Sequence, residues 1–392
     1  MIRRVLEVRL RALARKFPVV TVTGPRQSGK TTLCRTVFPD KPYVSLEAPD
    51  VQEFARRDPR AFLAQHPYGA LLDEVQRVPD LLSYIQTMVD DHPVAGRFVL
   101  TGSANFALLQ SLGQSLAGRT ALLELLPLSL EEVRRFKDPP TDLLELLWRG
   151  SYPAVYDRSL EPGDWYPAYV ATYLERDVRT IVNVGDLVSF QTCLRLCAGR
   201  VGQLVNLSSL GADAGVTHGT ARSWLSVLEA GYVAWRLPPF HASVSKRLIK
   251  TPKLHFVDSG LVCYLLGIRS PDQLQNHPLR GAVFETWVAS EVLKSRAHRG
   301  LPPSLSFYRD KKGAEVDLVV DLGRELLAVE TKSGQTVAGD FFAGLHTFAS
   351  LVAASRQRRE VRSFVVYGGA EHQRRSAGTV VPWSRLDRCE WW

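Results

Sequence analysis

Five β-branched residues in succession, Val19-Val20-Thr21-Val22-Thr23, run without a break into Gly24-Pro25-Arg26-Gln27-Ser28-Gly29-Lys30-Thr31-Thr32. β-branched side chains favour the pleated surface of a buried strand. LCRTVF, which follows, reads as a helix. Strand, loop and helix in that order, with the loop matching G-x-x-x-x-G-K-[ST], predict an α/β domain whose loop binds phosphate. Gly24 and Gly29 let the backbone wrap closely, and successive N–H groups plus the helix N-terminus supply the anion site. The whole stretch Gly24 to Thr32 is therefore the expected nucleotide-binding segment. Lys30 would reach the β- and γ-phosphates, and the Thr31 hydroxyl would ligate Mg²⁺. A glycine turn with an incidental lysine is the competing reading, and the flanking strand and helix argue against it.

A second motif follows about forty residues on. Tyr68-Gly69-Ala70-Leu71-Leu72 is a short apolar strand ending in Asp73-Glu74. A parallel strand beside the loop would deliver Asp73 to the metal. Glu74 is then placed to polarise a water for attack on the γ-phosphate. A third strand, Phe98-Val99-Leu100, ends in Thr101-Gly102-Ser103-Ala104-Asn105. It is expected between the first two motifs, where Thr101, Ser103 or, less well placed, Asn105 could sense the γ-phosphate. Arg119 precedes the strand Ala121–Leu125 and could act in trans on a neighbouring subunit's nucleotide. A surface arginine closing a helix is the plainer alternative.

GPRQSGKTT, LLDEVQRVPDLL, FVLTGSAN, LAGRT and LLPLSLEEV, in this order, resemble a prokaryotic family of AAA-type ATPases whose C-terminal region is labelled a domain of unknown function. YLERDV, KLHFVDSGL, GAVFETWVASEVL, FYRDKKGAEVDLVV and VETKSG extend the resemblance over nearly the whole chain. It implies an ASCE-type ATPase fold with ATP as the nucleotide, Glu74 as catalytic glutamate and Arg119 as finger. It names no physiological substrate.

The middle of the chain turns helical. Asp164 to Val178 carries aromatic and aliphatic residues at helical spacing, as a lid or linker helix with a buried aromatic face would. Leu207–Val216 and Thr217–Gly231 read as two helices around a turn, and Tyr232–Leu237 as a strand, the outline of a winged helix. Thr217, His218, Thr220, Arg222 and Ser223 would face a nucleic acid. A module for protein contact alone fits the pattern equally, since one arginine is few for a phosphate-bound helix.

The pattern returns to α/β near residue 280. Val283–Leu293 is an amphipathic helix, and Glu315–Val320 and Glu325–Lys332 are strands around a turn at Gly323. A hairpin centred there sets Asp317 opposite Val329 or Glu330, and period-two alternation puts Glu330 and Lys332 on one face. Asp317, Glu330 and Lys332 thus resemble the D…E-x-K core of the PD-(D/E)xK nucleases, with Glu285 as the acid of the preceding helix. In such a site Glu285, Asp317 and Glu330 hold Mg²⁺ near a scissile phosphate, and the lysine orients water or stabilises charge. A charged strand edge, or a fold that binds without cutting, is the alternative.

The 392 residues exceed one ordinary core. The expected architecture is a P-loop NTPase of ASCE/AAA+ type over 1–135, a helical lid over 136–190, a winged helix over 191–245 and a restriction-endonuclease-like α/β domain over 246–392. No apolar run approaches membrane-span length, and the N-terminus lacks the apolar core of a signal peptide, so the expectation is a cytoplasmic protein without membrane contact. Cys34, Cys193, Cys197, Cys263 and Cys389 show no zinc-site spacing and read as reduced thiols. A net charge of +9, with Arg356, Arg358, Arg359, Arg362, Arg374 and Arg375 late in the chain, suits nucleic acid, DNA first, as a partner. Arg119 in trans implies a homo-oligomer. The expected function is ATP hydrolysis coupled to a nucleic-acid-binding or nuclease C-terminal half. The alternative is a nucleotide-operated switch or scaffold whose inactive nuclease-like domain binds a protein.

Overall fold

The computed structural model describes residues 2–103, 115–174, 187–240, 251–355 and 359–392. Asn105, Arg356, Arg358 and the end of the expected lid helix, 175–178, lie outside the described residues. The chain forms two compact units: Met1–Pro127 with two short later segments, and most of the remainder from Leu128 to Trp392.

The first unit is a parallel sheet between helices. Its strands are β1 (Val19–Gly24), β2 (Tyr43–Ser45), β3 (Leu71–Asp73), β4 (Phe98–Ser103) and β5 (Thr120–Glu124). Its helices are α1 (Leu6–Ala14), α2 (Lys30–Val37), α3 (Pro49–Arg57), α4 (Pro59–Ala64) and α5 (Leu81–Asp91). The strand order is β2-β3-β4-β1-β5, with every pairing parallel. All six residues of β1 are buried, because a parallel strand covered on both faces has no polar side. One face packs Leu6 and Leu10 of α1 and Leu33, Cys34 and Val37 of α2 around Val20 and Val22. The other packs Leu81, Leu82, Ile85 and Val89 of α5 against Val19, Leu72, Phe98 and Leu100. The third strand-end motif falls between the P-loop strand and the Asp73 strand, the position expected of its polar end. β4 lies between them, pairing with β1 from Val19↔Phe98 to Gly24↔Ser103 and with β3 at Leu71↔Val99. Thr101 is thereby set between the loop and Asp73.

The second unit opens with a helical part: α6 (Leu130–Val133), α7 (Leu143–Arg149), α8 (Pro153–Asp157), α9 (Pro162–Tyr169), α10 (Leu187–Ala198), α11 (Leu207–Asp213) and α12 (His218–Ala230). Trp165, Tyr166 and Tyr169 of α9 are buried, with Trp165 stacked on Tyr169 and Tyr152 packed against all three, so these aromatics are core. After α12, β6 (Ala234–Leu237) pairs antiparallel with β7 (Lys253–Phe256). Then follow α13 (Ser259–Leu265), α14 (Pro271–Gln275), α15 (Arg280–Ala297), β8 (Leu305–Arg309), β9 (Glu315–Asp321), β10 (Glu325–Lys332), α16 (Ala343–Ala353), β11 (Glu360–Tyr367), β12 (Gln373–Arg375) and β13 (Gly378–Pro382). These last strands form a six-stranded mixed sheet in the order β12-β13-β11-β10-β9-β8. β9 and β10 make the expected hairpin, with Gly323 at φ +85° in its turn and Val329 opposite Leu318. No helix among the described residues is long and apolar enough to cross a membrane. The five cysteines are free thiols, four of them buried.

Candidate functional site

The phosphate loop joins β1 to α2, and its two glycines do different work. Gly24 (φ +148°) passes so close to β5 that a Cβ there would overlap the Leu125 carbonyl oxygen. Gly29 (φ +91°) turns the backbone into the first residue of α2. Lys30 begins that helix, 6% exposed, and its Nζ donates to the carbonyls of Gly24 and Pro25 at 3.1 and 2.8 Å. The ammonium therefore bridges its own loop, on the side where phosphate oxygens would arrive. Burial pulls its pKa down to about 8, against the attraction of Glu74 and Asp73. Ser28 Oγ is buried with no hydrogen-bond partner among the described residues.

Asp73, 5% exposed, gathers three hydroxyls. Thr31 Oγ1 lies 3.0 Å from both its carboxylate oxygens, Tyr43 Oη donates to Oδ2 at 2.9 Å, and Thr101 Oγ1 donates to Oδ1. The fit to Mg²⁺ follows from the donors: a hydroxyl and a carboxylate side by side are what this ion takes from a protein when phosphates supply the rest. Glu74 has left-handed backbone angles, φ 59° and ψ 45°, which a non-glycine residue adopts at a cost. Gln76 Nε2 donates to the Glu74 carboxylate and, at 2.9 Å, to Ser103 Oγ. One amide thus links the glutamate to the end of β4. Pro25, Arg26, Gln27 and Thr32 complete the loop and the first turn of α2.

Arg119 stands elsewhere. Its backbone carbonyl accepts from Val19, the first residue of β1, so it sits at the far end of the strand from Gly24, about 17 Å away at roughly 3.3 Å per residue. Its guanidinium forks onto Asp90 at 2.5 and 2.8 Å.

Sequence reasoning passed over Arg4, Tyr43 and Gln76. Arg4 is 7% exposed and donates to the carbonyls of Ser28 at 2.7 Å and Leu126 at 2.8 Å. It ties the loop to the end of the sheet. Its one legible signal was its place just ahead of an amphipathic helix.

In the second unit Glu285, Asp317, Glu330 and Lys332 come to one end of the β9–β10 hairpin. Asp317 Oδ2 accepts from the Thr331 N–H and hydroxyl, both at 2.8 Å, and Lys332 Nζ lies 2.5 Å from Glu330 Oε1. A residue absent from the motif stands among them: Lys253, the first of β7, lies 2.8 Å from Glu285, 2.6 Å from Glu315 and 3.7 Å from Asp317. Burial and the neighbouring Asp317 raise Glu285 to about 8, and the same two causes raise Glu330 to about 7. Burial works against the Lys253 ammonium, but Glu285, Asp317 and Glu315 outweigh it and hold the charge on. Among the described residues no group of three or more His, Cys, Asp or Glu side chains is arranged to hold a metal ion. Thr217, just before α12, and His218 and Arg222 on it are exposed, Thr220 and Ser223 are half-buried, and Trp224 and Leu228 face the core. Of the late arginines, Arg359 pairs with Asp321, Arg362 pairs with Glu325, and Arg374 and Arg375 lie on the edge strand β12.

A five-stranded parallel sheet with the loop after β1 and an acidic strand end two places away defines an AAA-type P-loop ATPase. A family model described as an AAA domain matches residues 16–134, and two described as domains of unknown function match 140–272 and 280–386. Over 383 residues the chain is 32% identical to the uncharacterized protein Rv2008c of Mycobacterium tuberculosis and to its counterpart Mb2031c of Mycobacterium bovis. Those alignments cover 97% of this chain and 82% of each relative. The chain belongs to the family of these two mycobacterial proteins. Similar solved structures include the Walker-type ATPase PABY2304 of Pyrococcus abyssi, at 15% identity and TM-score 0.45, covering 66% of this chain and 94% of that one. Another is AMPPCP-bound DnaA of Aquifex aeolicus, at 13% identity and TM-score 0.30, covering 57% and 86%.

Proposed function

We propose that the first unit binds ATP and hydrolyses it, and that the second unit uses the nucleotide cycle to act on nucleic acid. The observation that carries the first part is the meeting of Thr31 and Asp73 beside Lys30 at the loop. In this reading Lys30 exchanges its loop carbonyls for the β- and γ-phosphates, and the loop N–H groups hold the remaining oxygens. Thr31 and Asp73 would hold Mg²⁺, which neutralises phosphate charge when bound. Glu74, freed from Gln76, accepts a proton from the water that attacks the γ-phosphorus, and ADP leaves with the bridging oxygen. Arg119 is proposed to act in trans, after release from Asp90. The test is ATPase turnover of purified protein. Lys30→Ala is expected to abolish ATP binding, and Glu74→Gln to keep binding while stopping turnover. Hydrolysis unchanged in Lys30→Ala would sink the reading.

For the second unit, two helices followed by an antiparallel ribbon support a winged helix, and the exposed first turn of α12 supports contact with nucleic acid. Asp317 on β9, Glu330 and Lys332 on β10 and Glu285 on the preceding helix support a restriction-endonuclease-like fold. ATPase rate with and without single- and double-stranded DNA tests the coupling. No stimulation, together with no salt-sensitive binding, favours the second reading, a nucleotide-operated switch whose nuclease-like domain does not cut. Lys253 among the acids is the observation that favours it.

A further inference from the structure

The positive charge at the centre of the acidic cluster comes from outside the D…E-x-K pattern. Lys253 is 3% exposed, and its Nζ is within hydrogen-bonding distance of Glu315 Oε1 and Glu285 Oε1, with Asp317 Oδ1 just beyond at 3.7 Å. The Phe307 ring lies on another side, 5.4 Å from Nζ to its centroid. An ammonium has three donors and no acceptor, so it spends them on the same oxygens a divalent cation would need. The other Asp317 oxygen already accepts from Thr331, and one Glu330 oxygen from Lys332.

Lys253 cannot easily leave. It is the first residue of a strand, paired with Leu237 on one side and bridged to Leu204 on the other. Moving its charge out of the carboxylates would strand a buried ammonium against an aromatic wall, and admitting a dication beside it would set like charges together.

We infer that Lys253 is the resident cation of this cluster, a tethered ammonium that fills the space between Glu285, Glu315 and Asp317 and keeps divalent metal out. As folded, the second unit then does not cut phosphodiesters with a metal held by these acids. The inference is independent of the nucleotide site, and ATP binding measured on the same samples keeps the two apart.

The experiment is a Mn²⁺ titration of metal-stripped, full-length protein without nucleotide, read by loss of the free-ion electron paramagnetic resonance signal. Each protein is compared with its own Asp317→Asn partner, which subtracts whatever Thr31 and Asp73 hold. The expected result is no Asp317-dependent site in the wild type or in Lys253→Arg, and one gained per chain in Lys253→Met. An Asp317-dependent site in the wild type, or Mn²⁺-dependent DNA cleavage lost in Asp317→Asn, overturns the inference. So does a Lys253→Met protein that keeps its melting transition and gains no site. If Lys253→Met fails to fold while Lys253→Arg folds and stays metal-free, the cation is structural and the inference stands.

Discussion

Thr31 Oγ1 stands 3.0 Å from both carboxylate oxygens of Asp73, across 42 residues of chain. Thr31 sits in the first turn of α2, after the phosphate loop, and Asp73 ends β3, with β4 between that strand and β1. Asp73→Asn keeps the shape and removes the charge. We predict that turnover falls by about 10²-fold or more, the scale of losing one preorganised electrostatic group. ATP affinity measured without metal should change little. Turnover within a few fold of wild type would remove Asp73 from the proposed chemistry.

Arg4 supports the loop by donating to the backbone carbonyls of Ser28 and Leu126. Hydrogen bonds from a charged donor contribute roughly 1.5–3 kcal/mol each, so Arg4→Ala, which removes two, is predicted to cost about 3–6 kcal/mol. Arg4→Lys should recover only part of that, because an ammonium lacks the fork that spans Ser28 and Leu126. The denaturant midpoints of the three proteins decide it; equal midpoints would contradict the assignment.

Asp258 holds the second unit's helical part together. Its carboxylate accepts from Ser151 N at 2.6 Å, Ser151 Oγ at 2.8 Å, Tyr166 Oη at 2.6 Å and Leu261 N at 2.7 Å. Asp258→Ala leaves those donors buried and unpaired, with an expected loss of about 3 kcal/mol or more. Urea unfolding measures it, and a loss under about 1 kcal/mol would show that the network relaxes.

His255 supplies a pH dependence. Burial, helped by the Lys253 charge, lowers its pKa from 6.5 to about 3, and its Nδ1 lies 3.0 Å from Thr286 Oγ1. The unfolded chain therefore binds a proton that the folded chain refuses throughout that window. Stability is fully present above pH 6.5 and declines as pH falls toward 3, by up to about 1.4 kcal/mol per unit from this group. In His255→Gln that part of the slope should vanish. An identical slope in both proteins would assign the acid sensitivity elsewhere.

Local patterns account for what could be read in advance. β1, β3 and β4 each end in a motif, so loop, acid and sensor positions were visible in the order of the chain. The β9–β10 register followed, to within one residue, from one turn glycine and two-residue alternation. What stayed hidden depends on contacts with no local period. Arg4 meets Ser28 over 24 residues and Lys253 meets Glu285 over 32, and neither partner's spacing announces the other.

The helix before the first strand has a consequence for where this module can be cut. A fragment starting at residue 16 keeps every strand and the whole phosphate loop. It discards Arg4 together with Leu6 and Leu10, each 0% exposed and each contributing roughly 1.5–3 kcal/mol of burial. Such a fragment is expected to melt well below one beginning at residue 2, a difference thermal unfolding would reveal. The stretch that binds nucleotide and the stretch that folds have different first residues.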